Sequence, residues 1–264
     1  QIFEPQPICG YVDNTTGDCI GASQAGAAAQ VAKYADRVVQ PNAEVIQIAA
    51  LATQQASALK SQKLGVTLDT PIMRDGRSDS AIGHLFTDVV LDAMDGDVVI
   101  HNVVGGIRAD LPQGQLTYGS IYEMYPFDNL VVRLELTGAE LRSVMKREAL
   151  KAGRRAGVSG MRVFVTCSNN DLSVLMTRPD DSVIEDEHVL EVLTTDFLAT
   201  GGDDVMTPVI PDGGFSIDTD MPLVRELIAD WMRQRGGNIS ASTFSDAGKP
   251  KWNMAESVAS DCAP

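Results

Sequence analysis

Apolar periods of two and of 3.6 residues are interspersed along residues 66–253, and they do not follow a strict strand–helix–strand rhythm. That interspersion points to an α+β fold, a mixed β-sheet domain flanked by helices. Residues 78–94 read as an amphipathic helix, with Ala81, Ile82, Leu85, Phe86, Val89, Val90 and Ala93 on one face. A short apolar strand over 98–101, a loop over 102–114, a short helical segment over 118–125 and an alternating strand over 130–136 follow. Thr137-Gly138-Ala139-Glu140 has capping-box spacing, in which a hydroxyl and a carboxylate satisfy the first free amides of a helix carrying Leu141, Val144, Met145 and Ala149. Residues 161–166, 172–176 and 188–195 read as strands. Asp220-Met221-Pro222 opens a last helix with Leu223, Leu227, Ile228 and Trp231, and Gly236-Gly237 stops it.

Upstream the pattern changes. Residues 1–25 are irregular, and 26–39 read as helical, with Val31, Tyr34, Ala35, Val38 and Val39 on one face. After Pro41, residues 43–64 predict a long Ala/Gln-rich helix that ends at Gly65. Its weak amphipathicity fits a connecting helix better than a core one. The composition shifts at 66–77, where the main domain is expected to open.

At 264 residues the chain has room for one large domain or two small ones. A net charge of −15 argues against a nucleic-acid polymer as partner, so any phosphate must be held locally by a few arginines. No apolar run reaches the roughly 18–20 residues that span a bilayer. The four cysteines, Cys9, Cys19, Cys167 and Cys262, permit two disulfides and with them an exported location, periplasmic or extracellular; their pairing is left open. Cys9 and Cys19 bracket a turn-rich run that suits a local bridge. Gln1 in place of an initiator Met suggests a chain processed or cut from something longer.

Aromatic residues make up only 5% of the chain, yet Phe127 stands in Tyr125-Pro126-Phe127-Asp128-Asn129 and Phe197 in Asp196-Phe197-Leu198-Ala199-Thr200-Gly201-Gly202-Asp203. These polar, glycine-marked settings are poor core positions, so the pair reads as a clamp for a flat ring. Gly105-Gly106-Ile107-Arg108 follows a strand. Its glycines allow close backbone approach or a positive φ, and Arg108 can grip phosphate with two prongs. Arg74 and Arg77 precede the amphipathic helix whose N-terminus, near Ser78 and Ser80, favours anions. Asp203 after Gly202 suits ribose hydroxyls. His84, His101 and His188 lack metal spacing and read as structural residues.

The ordered motifs Gly105-Gly106-Ile107-Arg108-Ala109-Asp110-Leu111-Pro112, Gly114 to Tyr118, Pro126-Phe127-Asp128-Asn129, Leu136-Thr137-Gly138-Ala139-Glu140-Leu141 and Phe197 to Asp203 resemble the C-terminal domain of the 5′-nucleotidase / UDP-sugar hydrolase family. The family comprises two-domain metallophosphoesterases. Carried onto this chain, the resemblance implies that Phe127 and Phe197 sandwich a base and Asp203 binds the ribose. It puts Asn129 near the base or sugar. It gives the phosphate to Arg108 and to one of Arg74 or Arg77. The family usually has a polar residue, often Asn, five positions before the motif Arg. Here that position is Val103, with Asn102 one step earlier.

The same resemblance makes residues 1–40 the tail of a missing N-terminal metallophosphoesterase domain, 41–65 the linker helix and 66–264 the substrate-binding domain. Two divalent metals are expected in the missing domain and no cofactor in this chain, because the family's metal motifs do not occur in it. The expected activity is therefore nucleoside or nucleotide binding without hydrolysis, as part of a phosphoric-ester hydrolase of nucleotide catabolism. The rival readings are a free-standing nucleotide-binding or sensing module, or the same architecture with a cyclic-nucleotide, UDP-sugar or non-nucleotide ester substrate.

Overall fold

The computed structural model describes residues 33–34, 37–38, 42–75, 79–151, 156–246, 248–255 and 257–262. The chain divides into two compact units, residues 1–57 and 58–264. In the first, Lys33–Tyr34 and Arg37–Val38 pair as antiparallel strands, Lys33 opposite Val38 and Tyr34 opposite Arg37. The helix expected over 26–39 is thus wrong at these positions. A short apolar pattern does not separate the two periods, and Tyr and Val accept extended backbone readily. The rest of that expected helix lies outside the described residues, as do Cys9 and Cys19.

The helix Ala43–Lys60 runs across the division. Asn42 caps it, its Oδ1 accepting from the Glu44 and Val45 amides at 2.9 and 3.1 Å. None of its residues is buried, and Val45, Ile46, Ile48 and Leu51 are exposed. The helix stops at Lys60 rather than at Leu64. From there a period of two takes over, and Leu64, Val66 and Leu68 turn inward along the strand Lys63–Leu68.

The second unit is an α+β fold of mixed sheets flanked by helices. Its central sheet has the order Val131–Thr137, Val189–Thr195, Val98–Asn102, Ala156–Ser159. The middle two strands are parallel and each outer strand is antiparallel to its neighbour. Both faces are apolar. Val99 and Leu193 join a core with the helix Ala81–Met94, whereas Val98, Ile100 and Val192 join a second core with the helix Gly138–Leu150. All five residues of Val98–Asn102 are accordingly buried.

The first of these helices begins at Ala81, with Asp79 and Ser80 outside it although the expected span opened at 78, and the second starts where its capping box predicts. Ser80 Oγ accepts from the Gly83 amide, and Thr137 with Glu140 forms the expected reciprocal capping box. The helix Val224–Arg235 begins after Leu223, which forms an isolated β-bridge with Leu130.

Two three-stranded sheets complete the unit. In one, Lys63–Leu68 lies between Gly237–Ile239 and Gly114–Thr117; in the other, the hairpin Arg162–Ser168 and Asp171–Thr177 carries Trp252–Asn253 on its edge. Gly114–Thr117, Ala156–Ser159, Gly237–Ile239 and Trp252–Asn253 are too short to show a period in the sequence. A Cys167–Cys262 disulfide ties the hairpin to the last described residues. Asp79 receives the Lys251 and Trp252 amides and faces His84 Nε2 at 3.2 Å. Burial pushes its carboxyl up, but these donors outweigh burial and hold it below the usual range. Among the described residues no helix is long and apolar enough to cross a membrane.

Candidate functional site

The two parallel strands end side by side, at Asn102 and Thr195. Leu193 pairs with Val99, and continuing that register brings Asp196 level with Asn102. Thr195 also pairs with Val131, so the residues just before Val131 arrive at the same end from the antiparallel strand. Topology therefore delivers three loops to one edge: residues 102–108, 125–129 and 196–204. Ligand crevices in open sheets form at such carboxyl ends.

Between these loops lies a cavity of about 480 Å³, lined by Asn102, Gly105, Gly106, Arg108, Tyr125, Phe127, Asp128, Asn129, Phe197 and Asp203. That volume falls within the usual small-molecule range. Phe127 and Phe197 keep 36% and 44% of their surface exposed, against 1% for Phe86 in the core, which sets them apart from packing residues. Both belong to the wall of the one cavity, together with a guanidinium and a carboxylate.

Gly202 backs the Phe197 ring, since a side-chain carbon there would meet that ring at 2.5 Å. Arg74 lies beside Arg108, its Nη1 donating to the Arg108 carbonyl at 3.3 Å, while Asp110 Oδ1 accepts from the Arg74 amide at 2.5 Å. Arg74 is not among the lining residues. Arg77 lies outside the described residues.

The Gly105-Gly106 pair serves close approach rather than a positive φ, because both glycines sit in the short helix Val103–Gly106. Asn102 Nδ2 donates to Asp203 Oδ2 directly beneath them, where a side-chain carbon on Gly105 would collide with the Asp203 carboxylate. On Gly106 it would fall 2.6 Å from Asn102 Oδ1 and 2.5 Å from His101 Nε2. Val103 is buried and belongs to the core, so Asn102 is the residue of this pair that reaches the cavity.

Asp203 and Asp204 hold left-handed backbone, φ 51° and 57°, a conformation that Asp tolerates better than most residues. Cations from the helix Gly138–Leu150 and its C-cap pin this turn: Lys151 Nζ donates to the Asp203 carbonyl and Arg147 Nε to the Asp204 carbonyl, both at 2.9 Å.

Sequence reasoning missed several residues. Tyr125 and Asp128 line the cavity, and the only hint was their place beside Phe127. Arg225, buried in the helix Val224–Arg235, donates Nη1 to the Phe127 carbonyl at 3.0 Å, Nη2 to Asp128 Oδ1 at 2.5 Å and Nε to Tyr118 Oη at 3.1 Å. It anchors the Phe127 loop from 98 positions away, and no local pattern announces that.

His101 lies under the site, 1% exposed. Its ring stacks on Phe86 at 3.7 Å and meets Tyr125 edge-on at 5.5 Å. Neither ring nitrogen has a hydrogen-bond partner among the described residues. Burial drives its pKa down to about 3, so the ring is neutral. Burial also raises the Tyr125 phenol well above the tyrosine range, with the Asp196 charge adding to the effect. Among the described residues no three His, Cys, Asp or Glu gather as a metal site.

Comparison with known proteins gives this arrangement a family. A family model described as 5′-nucleotidase, C-terminal domain, matches residues 58–209. A cell wall protein of Listeria monocytogenes is 26% identical over 221 residues, 74% of this chain and 27% of its own length. A probable 5′-nucleotidase of Treponema pallidum is 28% identical over 137 residues, 46% of this chain and 23% of its own. The 5′-nucleotidase precursor of Thermus thermophilus superposes with a TM-score of 0.64 at 24% identity, covering 81% of this chain and 44% of that one. This chain thus spans about a quarter of these curated relatives and less than half of the solved one. With more than half of its residues matched by that model, this chain belongs to the 5′-nucleotidase family through the family's C-terminal domain.

Proposed function

We propose that residues 58–264 bind a nucleoside or nucleotide on behalf of a 5′-nucleotidase-type hydrolase. The base inserts between Phe127 and Phe197, the ribose hydroxyls face Asp203, and the phosphate meets Arg108 with Arg74 or Arg77. The observation that carries this is two half-exposed phenylalanines sharing one cavity with Arg108 and Asp203 at the ends of parallel strands. A strongly acidic chain has reason to keep its phosphate-seeking charge this local.

Chemistry on the phosphate then needs metals from elsewhere in a longer protein. Two divalent ions in a preceding metallophosphoesterase domain would activate water and take up charge on the phosphoryl oxygens. The helix Ala43–Lys60 is the linker to that domain, and this chain alone releases no phosphate. The whole enzyme works in nucleotide catabolism outside the cytoplasm. The Cys167–Cys262 disulfide and the likeness to a cell wall protein support the location.

Titration calorimetry with adenosine and adenosine monophosphate tests the binding claim. Stacking of a base on an aromatic ring is worth about 1–3 kcal/mol. Phe197→Ala is expected to weaken both ligands by that amount at an unchanged melting temperature. Equal affinity in the two proteins would remove the clamp from the site.

A further inference from the structure

Phe127 and Phe197 come from different loops, yet a continuous set of polar groups joins them. Tyr125 packs edge-on against Phe127, ring centroids 5.4 Å apart. Its hydroxyl donates to Asn129 Oδ1 at 2.9 Å, and Asn129 Nδ2 donates to Asp196 Oδ1 at 2.7 Å. The same carboxylate oxygen accepts the Phe197 backbone amide at 2.8 Å. The backbone carries the link as well, because the Asp196 amide donates to the Leu130 carbonyl at 3.1 Å. One wall of the cavity is therefore wired to the other through a single amide side chain and a single carboxylate.

The orientation of each group is fixed by the next. Asp196 Oδ1 is an acceptor, so Asn129 presents its NH₂ to it and its carbonyl to Tyr125, whose hydroxyl therefore donates. Asp196 presents a bare oxygen, Oδ1, that takes both donors on one atom. Tyr125 itself cannot swing, because it is 1% exposed and wedged between His101 and Phe127.

Resting on the base-clamp reading above, we propose that Asn129 and Asp196 form a strut that holds Phe127 and Phe197 at the spacing of one flat ring. They are positioning residues, and Asn129, although it also lines the cavity, acts here through the two phenylalanines. The strut gives the site its selectivity for planar ligands: with the spacing set in advance, the loops need no ordering when the ring arrives.

The test is a double-mutant cycle read by adenosine titration on wild type, Asn129→Ala, Phe197→Ala and the double variant, with Asp196→Ala and Asp196→Asn alongside. Melting temperatures confirm that each variant folds. Asn129→Ala and Asp196→Ala are expected to weaken adenosine by roughly tenfold or more. Asp196→Asn keeps an oxygen acceptor and is expected to restore most of that loss. Once Phe197 is absent the spacing no longer matters, so Asn129→Ala should then cost less than threefold. Full additivity of Asn129→Ala with Phe197→Ala, or no rescue by Asp196→Asn, overturns the strut while leaving the clamp standing. If Phe197→Ala binds adenosine as wild type does, or wild type does not bind it, the clamp falls and the strut with it.

Discussion

The pH dependence of stability isolates His101, which lies directly beneath the site. In the folded protein its pKa is near 3, against 6.5 for the unperturbed side chain. Between those values the unfolded chain binds a proton that the native protein refuses. Stability therefore rises with pH through this window and is lost as pH falls from 6.5 toward 3. Well inside the window the slope from this one group is ~1.4 kcal/mol per pH unit, so lowering the pH from 7.5 to 4.5 removes ~2.7 kcal/mol. The structure gives the reason the ring stays neutral: it packs against Phe86 and Tyr125, and among the described residues neither ring nitrogen has a hydrogen-bond partner.

His101→Phe keeps a ring against Phe86 and deletes the titration. The assay is urea unfolding of both proteins at four pH values from 4.5 to 7.5, followed by the fluorescence of Trp231 and Trp252, which both lie in the second unit. Any constant gain or loss from repacking shifts the whole curve for the variant and leaves its slope alone. The expected result is a stability difference between the two proteins that changes by ~1.4 kcal/mol per unit below pH 6.5 and is flat above it. Parallel curves across the range would mean that His101 protonates in place, and the burial argument would fail.

Two further outcomes follow from the packing. Gly202→Ala puts a carbon 2.5 Å from the Phe197 ring and displaces a side chain that is already 44% exposed. It is expected to lower adenosine affinity by about tenfold while moving the melting temperature little, because few core contacts are touched. Cys262→Ser opens the Cys167–Cys262 bridge, whose partners are 95 residues apart. On chain entropy that costs about 4–5 kcal/mol, read as a lower urea midpoint that matches reduced wild type.

The legible parts of this fold are those whose signal is local. Thr137 and Glu140 announce a helix start because both halves of the box lie within one turn, and the structure has both bonds. Phe127 and Phe197 stand out because an aromatic ring among Pro, Asp and Gly has no other local use, and both line the cavity.

What stayed hidden depends on distant partners. Leu64, Val66 and Leu68 alternate as a strand only because Gly114–Thr117 and Gly237–Ile239 flank them; in the sequence Leu64 reads as the end of an Ala/Gln-rich helix, and Val66 and Leu68 fall past the shift in composition. Ala156–Ser159 is buried throughout, yet its small residues carry no period. Arg225 looks like a surface residue on an amphipathic helix until the Phe127 carbonyl and Asp128 come to rest on it. The paired glycines allowed close backbone approach or a positive φ, and the sequence did not show that the groups they admit are Asn102 and Asp203 under the chain.

A crystal structure of the protein with adenosine monophosphate tests the central claim most directly. The purine is expected between Phe127 and Phe197, the ribose hydroxyls at Asp203 and the phosphate toward Arg108. A nucleotide seated outside that cavity, or lying in it with the purine away from both rings, would contradict it.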